Sequence, residues 1–256
     1  MDVLQNVQRA CGIGDGLVDV FDGDDGFHGV GHELERTRVL IRRHFILRTA
    51  LALSAAGPWG LSALAQPAPA KTPVILVVGD SLSAEYGLKR GEGWVALMEK
   101  RLAEQKIAAK VINASISGDT TSGGRARLPA LLAQHKPTHV ILELGANDAL
   151  RGLPLASTED NLMQMAKASQ AAGAKVLVVG IQVPPNYGTD YTRRFGEIFG
   201  RVGKATQSDV VPFLLKNVAD GPDAASMFQA DRIHPLAIAH PRILENVWPA
   251  VRRMLR

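Results

Sequence analysis

Short apolar runs alternate with longer stretches of helical spacing from residue 74 to the end of the chain. The apolar runs are rich in β-branched residues and predict strands at 74–78, 110–113, 139–144, 175–181 and 210–211. The stretches between them repeat apolar residues every three or four positions and predict helices at 93–107, 122–135, 158–172, 190–207 and 236–255. Each predicted strand is therefore followed by a predicted helix.

This order of elements indicates the fold class. Strands that are apolar at nearly every position are buried on both faces, which is typical of parallel sheets. Strand–helix alternation with right-handed crossovers places helices on both faces of such a sheet. We therefore expect an α/β protein with a three-layer α/β/α architecture. The sequence has no internal repeat and no sign of a second core, so residues 73–256 are predicted to form one domain.

The pattern is different at the amino terminus. Residues 1–35 have no sustained apolar period and carry eight acidic residues against one arginine, which predicts a leader that is disordered or precedes the true translation start. Residues 36–65 carry five arginines and no acid, and end in Ala63-Leu64-Ala65, the small-x-small form that signal peptidases cut. We interpret 36–65 as a cleaved export signal and residues 66–72 as a linker.

Two export routes remain open for this signal. Arg42-Arg43-His44-Phe45-Ile46-Leu47 resembles a twin-arginine signal, whereas the general secretory route accepts the same order of charged and apolar residues. The apolar run is too short and too rich in Gly and Pro for a stable membrane span. Both routes predict a periplasmic or secreted protein.

Composition and charge exclude several classes of function. The chain has 256 residues, of which 46% are hydrophobic and 21% charged, so a folded core is expected rather than disorder. A single cysteine excludes an internal disulfide framework and a cysteine-rich metal site. The net charge is +4, and the basic residues after residue 65 are scattered, with no basic stripe and no aromatic platform in the sequence. Nucleic-acid binding is therefore not supported.

Polar loops follow the first three predicted strands, and another precedes the last helix. They are Gly79-Asp-Ser-Leu-Ser83, Ala114-Ser-Ile-Ser-Gly-Asp-Thr120, Gly145-Ala-Asn-Asp148 and Asp231-Arg-Ile-His-Pro235. The carboxyl ends of parallel strands meet at one edge of the sheet, where ligands bind in such folds. A serine, a histidine and acidic residues in these loops indicate a serine hydrolase.

The chemistry of a serine hydrolase assigns the roles. Ser81 is the predicted nucleophile, and His234 is the base that takes its proton and later returns it to the leaving group. Asp231 lies three residues before His234 and can fix the ring tautomer. The oxyanion is predicted to be bound by the backbone N–H groups of Ser81 and Gly118 and by the side-chain amide of Asn147. No Gly-x-Ser-x-Gly occurs in the sequence, which argues against the nucleophile elbow of ordinary α/β-hydrolases.

These four loops resemble the four blocks of the SGNH/GDSL hydrolase superfamily. The resemblance covers residues 74–255 and is close to the periplasmic arylesterase, acyl-CoA thioesterase I and lysophospholipase group. It implies a flavodoxin-like order of five parallel strands. It also implies hydrolysis of acyl esters and thioesters through an acyl-enzyme on Ser81, without cofactor or metal. Arg232 and Ala146 stand where this group commonly has glycine, and Arg232 bears on substrate preference more than on activity.

The acyl-binding residues are marked only by apolar character. The segment 150–157 follows the third loop and is predicted to be a mobile flap. The pocket for a small-molecule acyl ester or thioester is predicted to be lined by Leu153, Leu155, Ile181, Pro184 and Tyr187. We expect a monomer or a weak dimer.

Two other functions remain open. A carbohydrate O-acetylesterase would use the same catalytic residues on a smaller acyl group. A flavodoxin-like ligand-binding protein would hold a phosphate or flavin at the first loop, but that loop is not glycine-rich and no P-loop motif is present in the sequence. Asp80, Asp119 and Asp148 are expected to brace backbone amides, and His240 is expected to have a structural role in the last helix.

Overall fold

Strands and helices alternate along residues 72–256, the part of the chain that the computed structural model describes; the predicted leader 1–35 and export signal 36–65 lie outside it. The strands are β1 (Val74–Gly79), β2 (Lys110–Asn113), β3 (His139–Glu143), β4 (Lys175–Val179) and β5 (Asp209–Val211). The helices are α1 (Trp94–Glu104), α2 (Thr121–His135), α3 (Ala146–Leu150), α4 (Leu155–Ala171), α5 (Thr189–Thr206), α6 (Ala224–Met227) and α7 (His240–Met254), with 3-10 turns at Pro185–Tyr187 and Ala237–Ala239.

The five strands form one parallel sheet. Their order across the sheet is β2-β1-β3-β4-β5, with β1 paired to β2 on one side and to β3 on the other. The first strand, β1, therefore lies inside the sheet. The chain then adds β2 at one edge, crosses back past β1, and adds β3, β4 and β5 on the other side. The loops after β1 and β3 diverge at this switch point, which is where ligands bind in open α/β sheets. The predicted α/β fold and flavodoxin-like strand order are confirmed.

Helices cover both faces of the sheet. Helix α4 packs between α2 and α5 in one layer, and α1 packs against α7 in the other. The central strands are fully buried between these layers, and Ile75 and Val140 are 0% exposed. Among residues 72–256, no helix is both long and apolar enough to cross a lipid bilayer.

A buried histidine joins α1 to α7. His240 Nδ1 accepts the backbone N–H of Trp94 at 3.0 Å, which satisfies one of the unpaired donors at the start of α1. Burial lowers the pKa of His240 to about 4. The ring is therefore neutral at pH 7, in keeping with the structural role expected from the sequence.

The segment between β3 and α4 differs most from the prediction. Helix α4 begins at Leu155 rather than at Thr158, because Pro154 at its N-cap has φ −59° and its carbonyl accepts the Thr158 N–H at 3.2 Å. Helix α3, which is too short to show a period in the sequence, precedes it. Residues 151–154 of the predicted flap 150–157 lie outside helices, and its two ends belong to α3 and α4.

The other predicted elements lie within three residues of their predicted bounds, except the closing helix, and the short helix α6 was not predicted. The closing helix predicted at 236–255 is a 3-10 turn followed by α7, which begins at His240. Pro235 precedes this turn and forms an isolated antiparallel bridge with Phe228. The residues around His234 therefore belong to a separate loop and not to the helix.

Candidate active site

Ser81 lies in the turn that leaves β1 at the carboxyl edge of the sheet. Asp80 holds this turn, because its carboxylate accepts the Leu82 N–H at 3.0 Å and its carbonyl accepts the Ser83 N–H at 3.2 Å. The end of β1 also requires glycine, since a Cβ at Gly79 would lie 2.9 Å from the Ser83 side chain. The chain is thus tightly constrained on both sides of Ser81.

A continuous line of hydrogen bonds joins Ser81, His234 and Asp231. His234 Nε2 lies 2.8 Å from Ser81 Oγ, and His234 Nδ1 lies 2.6 Å from Asp231 Oδ2. When Nδ1 donates its proton to the carboxylate, Nε2 is free to accept the hydroxyl proton. The fold thus brings together the three predicted residues, although Ser81 and His234 are 153 positions apart.

Asp231 also shapes the loop that carries the histidine. Its Oδ1 accepts the backbone N–H groups of Ile233 at 2.9 Å and His234 at 3.0 Å. Burial raises the pKa of Asp231, but these N–H groups and the imidazole outweigh burial, so that its pKa lies below the usual value. Asp231 is therefore charged at neutral pH and can stabilise an imidazolium.

Two of the predicted oxyanion donors are unoccupied. Among residues 72–256, the backbone N–H groups of Ser81 and Gly118 have no hydrogen-bond acceptor. Gly118 has φ +79°, a conformation that side chains disfavour. Its carbonyl accepts a bond from Arg151 Nη2 at 2.8 Å, which ties the Gly118 loop to the end of α3. Both N–H groups are available to a negatively charged oxygen.

The third predicted donor already has two acceptors. The amide nitrogen of Asn147, in α3, donates to Asp80 Oδ2 at 3.2 Å and to the Asp119 carbonyl at 3.0 Å. These bonds place the amide between the loops that follow β1 and β2. An oxyanion would have to replace one of them, and the longer bond, to Asp80, is the weaker.

A pair of buried carboxyl groups lies beside the Ser81 turn, and its second member, Glu143, was missed from the sequence. Glu143 Oε2 accepts the Ser83 hydroxyl at 2.7 Å and the Asp80 N–H at 3.4 Å. Burial raises the pKa of Asp80 to about 7. Burial and the nearby Asp80 carboxyl raise the pKa of Glu143 well above its usual value. A glutamate inside the apolar run of β3 was the sequence signal that could have identified it.

Two further residues contact the His234 loop and were not predicted. The Tyr86 ring centroid lies 4.3 Å from that of His234, with the ring planes inclined by 39°. Gln229 Nε2 donates to the carbonyls of Tyr86 at 2.9 Å and Pro235 at 3.2 Å. These contacts join the loop after β1 to the His234 loop. Neither residue belongs to a motif, so the sequence carried no signal for them.

The two other acids of these loops brace the backbone, as expected. Asp119 accepts the Thr120 N–H at 2.9 Å and a bond from Arg127 Nε at 2.8 Å. Asp148 is buried and accepts the Thr121 N–H at 2.9 Å. These bonds fix the start of α2 relative to the loops after β2 and β3.

The two positions that depart from the resembled group have different backbone conformations. Arg232 is exposed and has φ +58°, a left-handed conformation that costs a residue with a side chain roughly 1–2 kcal/mol. Glycine adopts this conformation freely, which is a physical reason for its use there. Ala146 is the first residue of α3 and half-buried. In this chain the left-handed position of that loop is Gly145, at φ +123°.

The residues predicted to line an acyl pocket lie in two segments, after β3 and after β4, at the edge that carries Ser81: Leu153 and Leu155, then Ile181, Pro184 and Tyr187. Leu153 is 36% exposed, whereas Ile181 is buried. Tyr191 joins the two segments, because its hydroxyl donates to the Ala149 carbonyl at 3.3 Å and its ring stacks on Tyr187 at 6.4 Å.

Known proteins resemble this chain over most of its described length. Residues 77–240 match the GDSL-like Lipase/Acylhydrolase family. Esterase TesA of Pseudomonas aeruginosa is 50% identical over 204 residues, which are 80% of this chain and 99% of that protein. Thioesterase 1/protease 1/lysophospholipase L1 of Escherichia coli K12 is 40% identical over 181 residues, or 71% of this chain and 83% of that protein. The crystal structure of the psychrotrophic esterase EstA from a Pseudoalteromonas species, inhibited by monoethylphosphonate, matches with a TM-score of 0.67 and 40% identity over 71% of this chain and 98% of that one.

Proposed function

Because the chain belongs to the GDSL-like lipase/acylhydrolase family and is a carboxylic ester hydrolase, we propose that it forms its acyl-enzyme on Ser81. The observation that carries this assignment is the line of hydrogen bonds from Ser81 Oγ through His234 to Asp231, at 2.8 and 2.6 Å. A serine hydroxyl is a weak nucleophile until an adjacent base removes its proton. His234 is in hydrogen-bond contact with the Ser81 hydroxyl and is oriented for that task.

Hydrolysis takes place in two half-reactions that share the same base. Ser81 Oγ attacks the carbonyl carbon while His234 Nε2 takes the hydroxyl proton, and the carbonyl electron pair moves onto oxygen. Collapse of this intermediate breaks the bond to the alcohol or thiol, which leaves with the proton from His234. A water molecule then loses a proton to His234 and attacks the acyl-enzyme. The carboxylic acid is released, and the proton returns to Ser81.

The negative oxygen of each intermediate is bound by three donors. The backbone N–H groups of Ser81 and Gly118 have no competing acceptor among the described residues. Asn147 exchanges its 3.2 Å bond with Asp80 for a bond to the oxyanion. A donor of this kind contributes about 2.7–4 kcal/mol of transition-state stabilisation. Since Asp231 is charged, it stabilises the imidazolium that forms at the same moment.

The substrates are carboxylic acyl esters and thioesters. The acyl chain lies between the segments after β3 and β4, in contact with the five apolar residues named above for the pocket. Tyr191 supports this arrangement because it joins the two segments. Replacing Leu153 with Ser should therefore weaken the hydrolysis of p-nitrophenyl octanoate more than that of p-nitrophenyl acetate.

The active enzyme consists of residues 73–256 and works in the periplasm or outside the cell. The arginine-rich segment 36–65 directs export and is removed after Ala65, and residues 66–72 remain as a linker. The intact mass of the protein recovered from the periplasmic fraction tests this proposal. A mass that includes residues 36–65 contradicts it.

Labelling with a fluorophosphonate tests the nucleophile. Wild-type protein should be labelled and hydrolyse p-nitrophenyl butyrate, whereas Ser81→Ala should lose the label and more than about 1,000-fold in kcat/KM. Ser117→Ala is the matched control, because Ser117 is an exposed serine in the neighbouring loop, and it should retain both. Labelling of Ser81→Ala contradicts the assignment. Acetylated xylo-oligosaccharide as a second substrate tests the alternative of a carbohydrate O-acetylesterase, which predicts the higher kcat/KM on the sugar.

A further inference from the structure

Exposed large apolar side chains are confined to one side of the described part of the molecule. Five such residues are more than a third exposed, and we call them the apolar rim: Tyr86, Ile116, Leu153, Leu236 and Ile238, at 36, 52, 36, 38 and 70%. Contiguous exposed apolar surface on a soluble protein commonly marks an interaction site. The position of the apolar rim on the molecule therefore indicates what kind of partner it contacts.

All five residues belong to the loops that build the active site. Tyr86 packs on the His234 ring at 4.3 Å. Leu236 and Ile238 follow His234 directly, at the start of the chain segment that leads into α7. Ile116 lies in the Gly118 loop, which Arg151 ties to the segment that carries Leu153. The apolar rim therefore lies on the loops that carry Ser81, Gly118 and His234.

The exposed charges of the same loops are mainly positive. The four exposed basic residues are Lys89, Arg90, Arg151 and Arg232. Within residues 72–256, no carboxylate forms an ion pair with Arg90, Arg151 or Arg232. Among the acids of these loops, Asp231 is exposed and its charge is engaged by His234. Glu85 and Glu92 are half-buried, and their carboxylates accept backbone N–H groups of Lys89, Gly91 and Gly93. Apolar side chains mixed with unpaired cations are typical of surfaces that bind anionic lipid.

We propose that the apolar rim and its cations adsorb the enzyme onto the surface of an anionic amphiphile, a bilayer or mixed micelle, so that acyl chains enter the active site directly from that surface. This inference rests on the proposed function, because it assumes that acyl chains reach Ser81 from this side of the molecule. A protein partner seated on the apolar rim would block substrate access, whereas a lipid surface supplies the substrate. Hydrolysis of lipid acyl esters also releases fatty acids, which add negative charge to the surface.

Site-specific fluorescence tests the adsorption. The single cysteine is removed by Cys11→Ser in the full chain, Ile238→Cys is introduced, and an environment-sensitive fluorophore is attached. Equimolar phosphatidylglycerol and phosphatidylcholine vesicles should shift the emission to the blue, with apparent binding at least about tenfold tighter than to phosphatidylcholine alone. A fluorophore at Leu255→Cys is the control, because Leu255 lies next to Met254, whose carbonyl contacts His139 at the opposite edge of the sheet. It should show no shift.

The second measurement is kinetic. Ile116→Ser with Ile238→Ser should lower the rate on micellar lysophosphatidylglycerol at least about tenfold, because each variant removes apolar surface that enters the lipid. The rate on p-nitrophenyl acetate, which is dissolved singly, should stay within about twofold of wild type. Leu255→Ser should change neither rate.

The outcomes are distinguishable. No emission shift at position 238, or equal shifts on anionic and neutral vesicles, overturns the proposal. A shift that grows with protein concentration in the absence of lipid shows instead that a second copy covers the apolar rim, and also overturns it. Loss of p-nitrophenyl acetate hydrolysis by Ile116→Ser with Ile238→Ser shows that these residues act on catalysis instead of adsorption. Adsorption by wild-type protein whose Ser81 is not acylated contradicts the proposed function, and with it the delivery of acyl chains to Ser81, but leaves the adsorption itself established.

Discussion

The two halves of the active site are held by different kinds of contact. The serine half, around Asp80, Ser83 and Glu143, is buried, and the side chains of Glu143 and Asn147 bond to residues 60 and 67 positions away. The histidine half lies nearer the surface, and Asp231 holds it through residues two or three positions away. The serine half therefore depends on the pairing of β1 with β3, whereas the hydrogen bonds of Asp231 in the histidine half lie within one loop, which Tyr86 and Gln229 join to the loop after β1.

This difference predicts that substitutions in one half mainly change the stability of the fold, whereas substitutions in the other mainly change the catalytic rate. A substitution that disrupts the serine half removes contacts between central elements of the fold and should lower the free energy of unfolding. A substitution in the histidine half removes contacts within a loop near the surface, so it should affect catalysis with little change in stability. Four predictions test this division.

Asp231→Asn should have the largest effect on rate. The amide leaves the loop geometry nearly intact but favours the wrong tautomer of His234, so kcat should fall by about 10³–10⁴. The free energy of unfolding should change by less than about 1 kcal/mol, because the group is near the surface. Asp209→Asn is the control, since Asp209 pairs with Arg253 at 3.1 Å on β5, and it should keep full activity. A loss of kcat below tenfold in Asp231→Asn contradicts the prediction.

Glu143→Ala should have the largest effect on stability. It leaves the Ser83 hydroxyl and the Asp80 N–H buried without their acceptor, which should cost about 2–4 kcal/mol in urea unfolding. Glu143→Gln keeps an acceptor oxygen and should lose less than about 1 kcal/mol at pH 5. An alanine variant as stable as wild type but inactive would show that Glu143 serves catalysis rather than the fold.

The buried pair also predicts how stability depends on pH. Asp80 has a pKa of about 7 in the fold, and that of Glu143 is raised as well. The folded protein therefore binds protons that the unfolded chain releases near pH 4, and the pair's contribution to stability falls as pH rises toward 7. One such group gives a slope of up to about 1.4 kcal/mol per pH unit.

Glu143→Gln isolates this effect, because it removes one of the two titrating groups. Its stability relative to wild type should increase as pH rises from 5 to 8. His240 has an opposite contribution, since its lowered pKa of about 4 favours the folded protein as pH rises, but it is the same in both proteins and cancels from the difference. A difference that is constant with pH contradicts the raised pKa of Glu143.

Arg232→Gly should have the smallest effect, and it should raise the stability of the fold rather than lower it. It relieves the left-handed backbone, and the greater freedom of glycine in the unfolded chain offsets part of the gain, so stability should rise by about 0.5–1 kcal/mol. Arg232→Ala removes the charge but keeps the strain and should not stabilise. Gln207→Gly, at φ +54° at the end of α5, should stabilise by a similar amount. Thermal unfolding of the three variants measures these changes.

The same comparison explains what the sequence could reveal. The strands, the parallel sheet and the Asp231–His234 pair depend on short-range periods and spacings, which are readable from one chain. Glu143 and Tyr86 contact active-site residues that are far from them in sequence, so no fixed spacing along the chain predicts these contacts. Helix α3 was missed because five residues are too few to show a period, and the start of α4 was misplaced because Pro154 begins the helix before its apolar period does.

The distance of 153 positions between the proposed nucleophile and its base has a consequence for the newly synthesised chain. A chain that emerges from a ribosome presents Ser81 early and His234 only near its end. Until the final residues are free to fold, the hydroxyl has no base and no acyl group can be transferred to it. The order of the motifs along the chain thus keeps the proposed catalytic site inactive until synthesis is nearly complete.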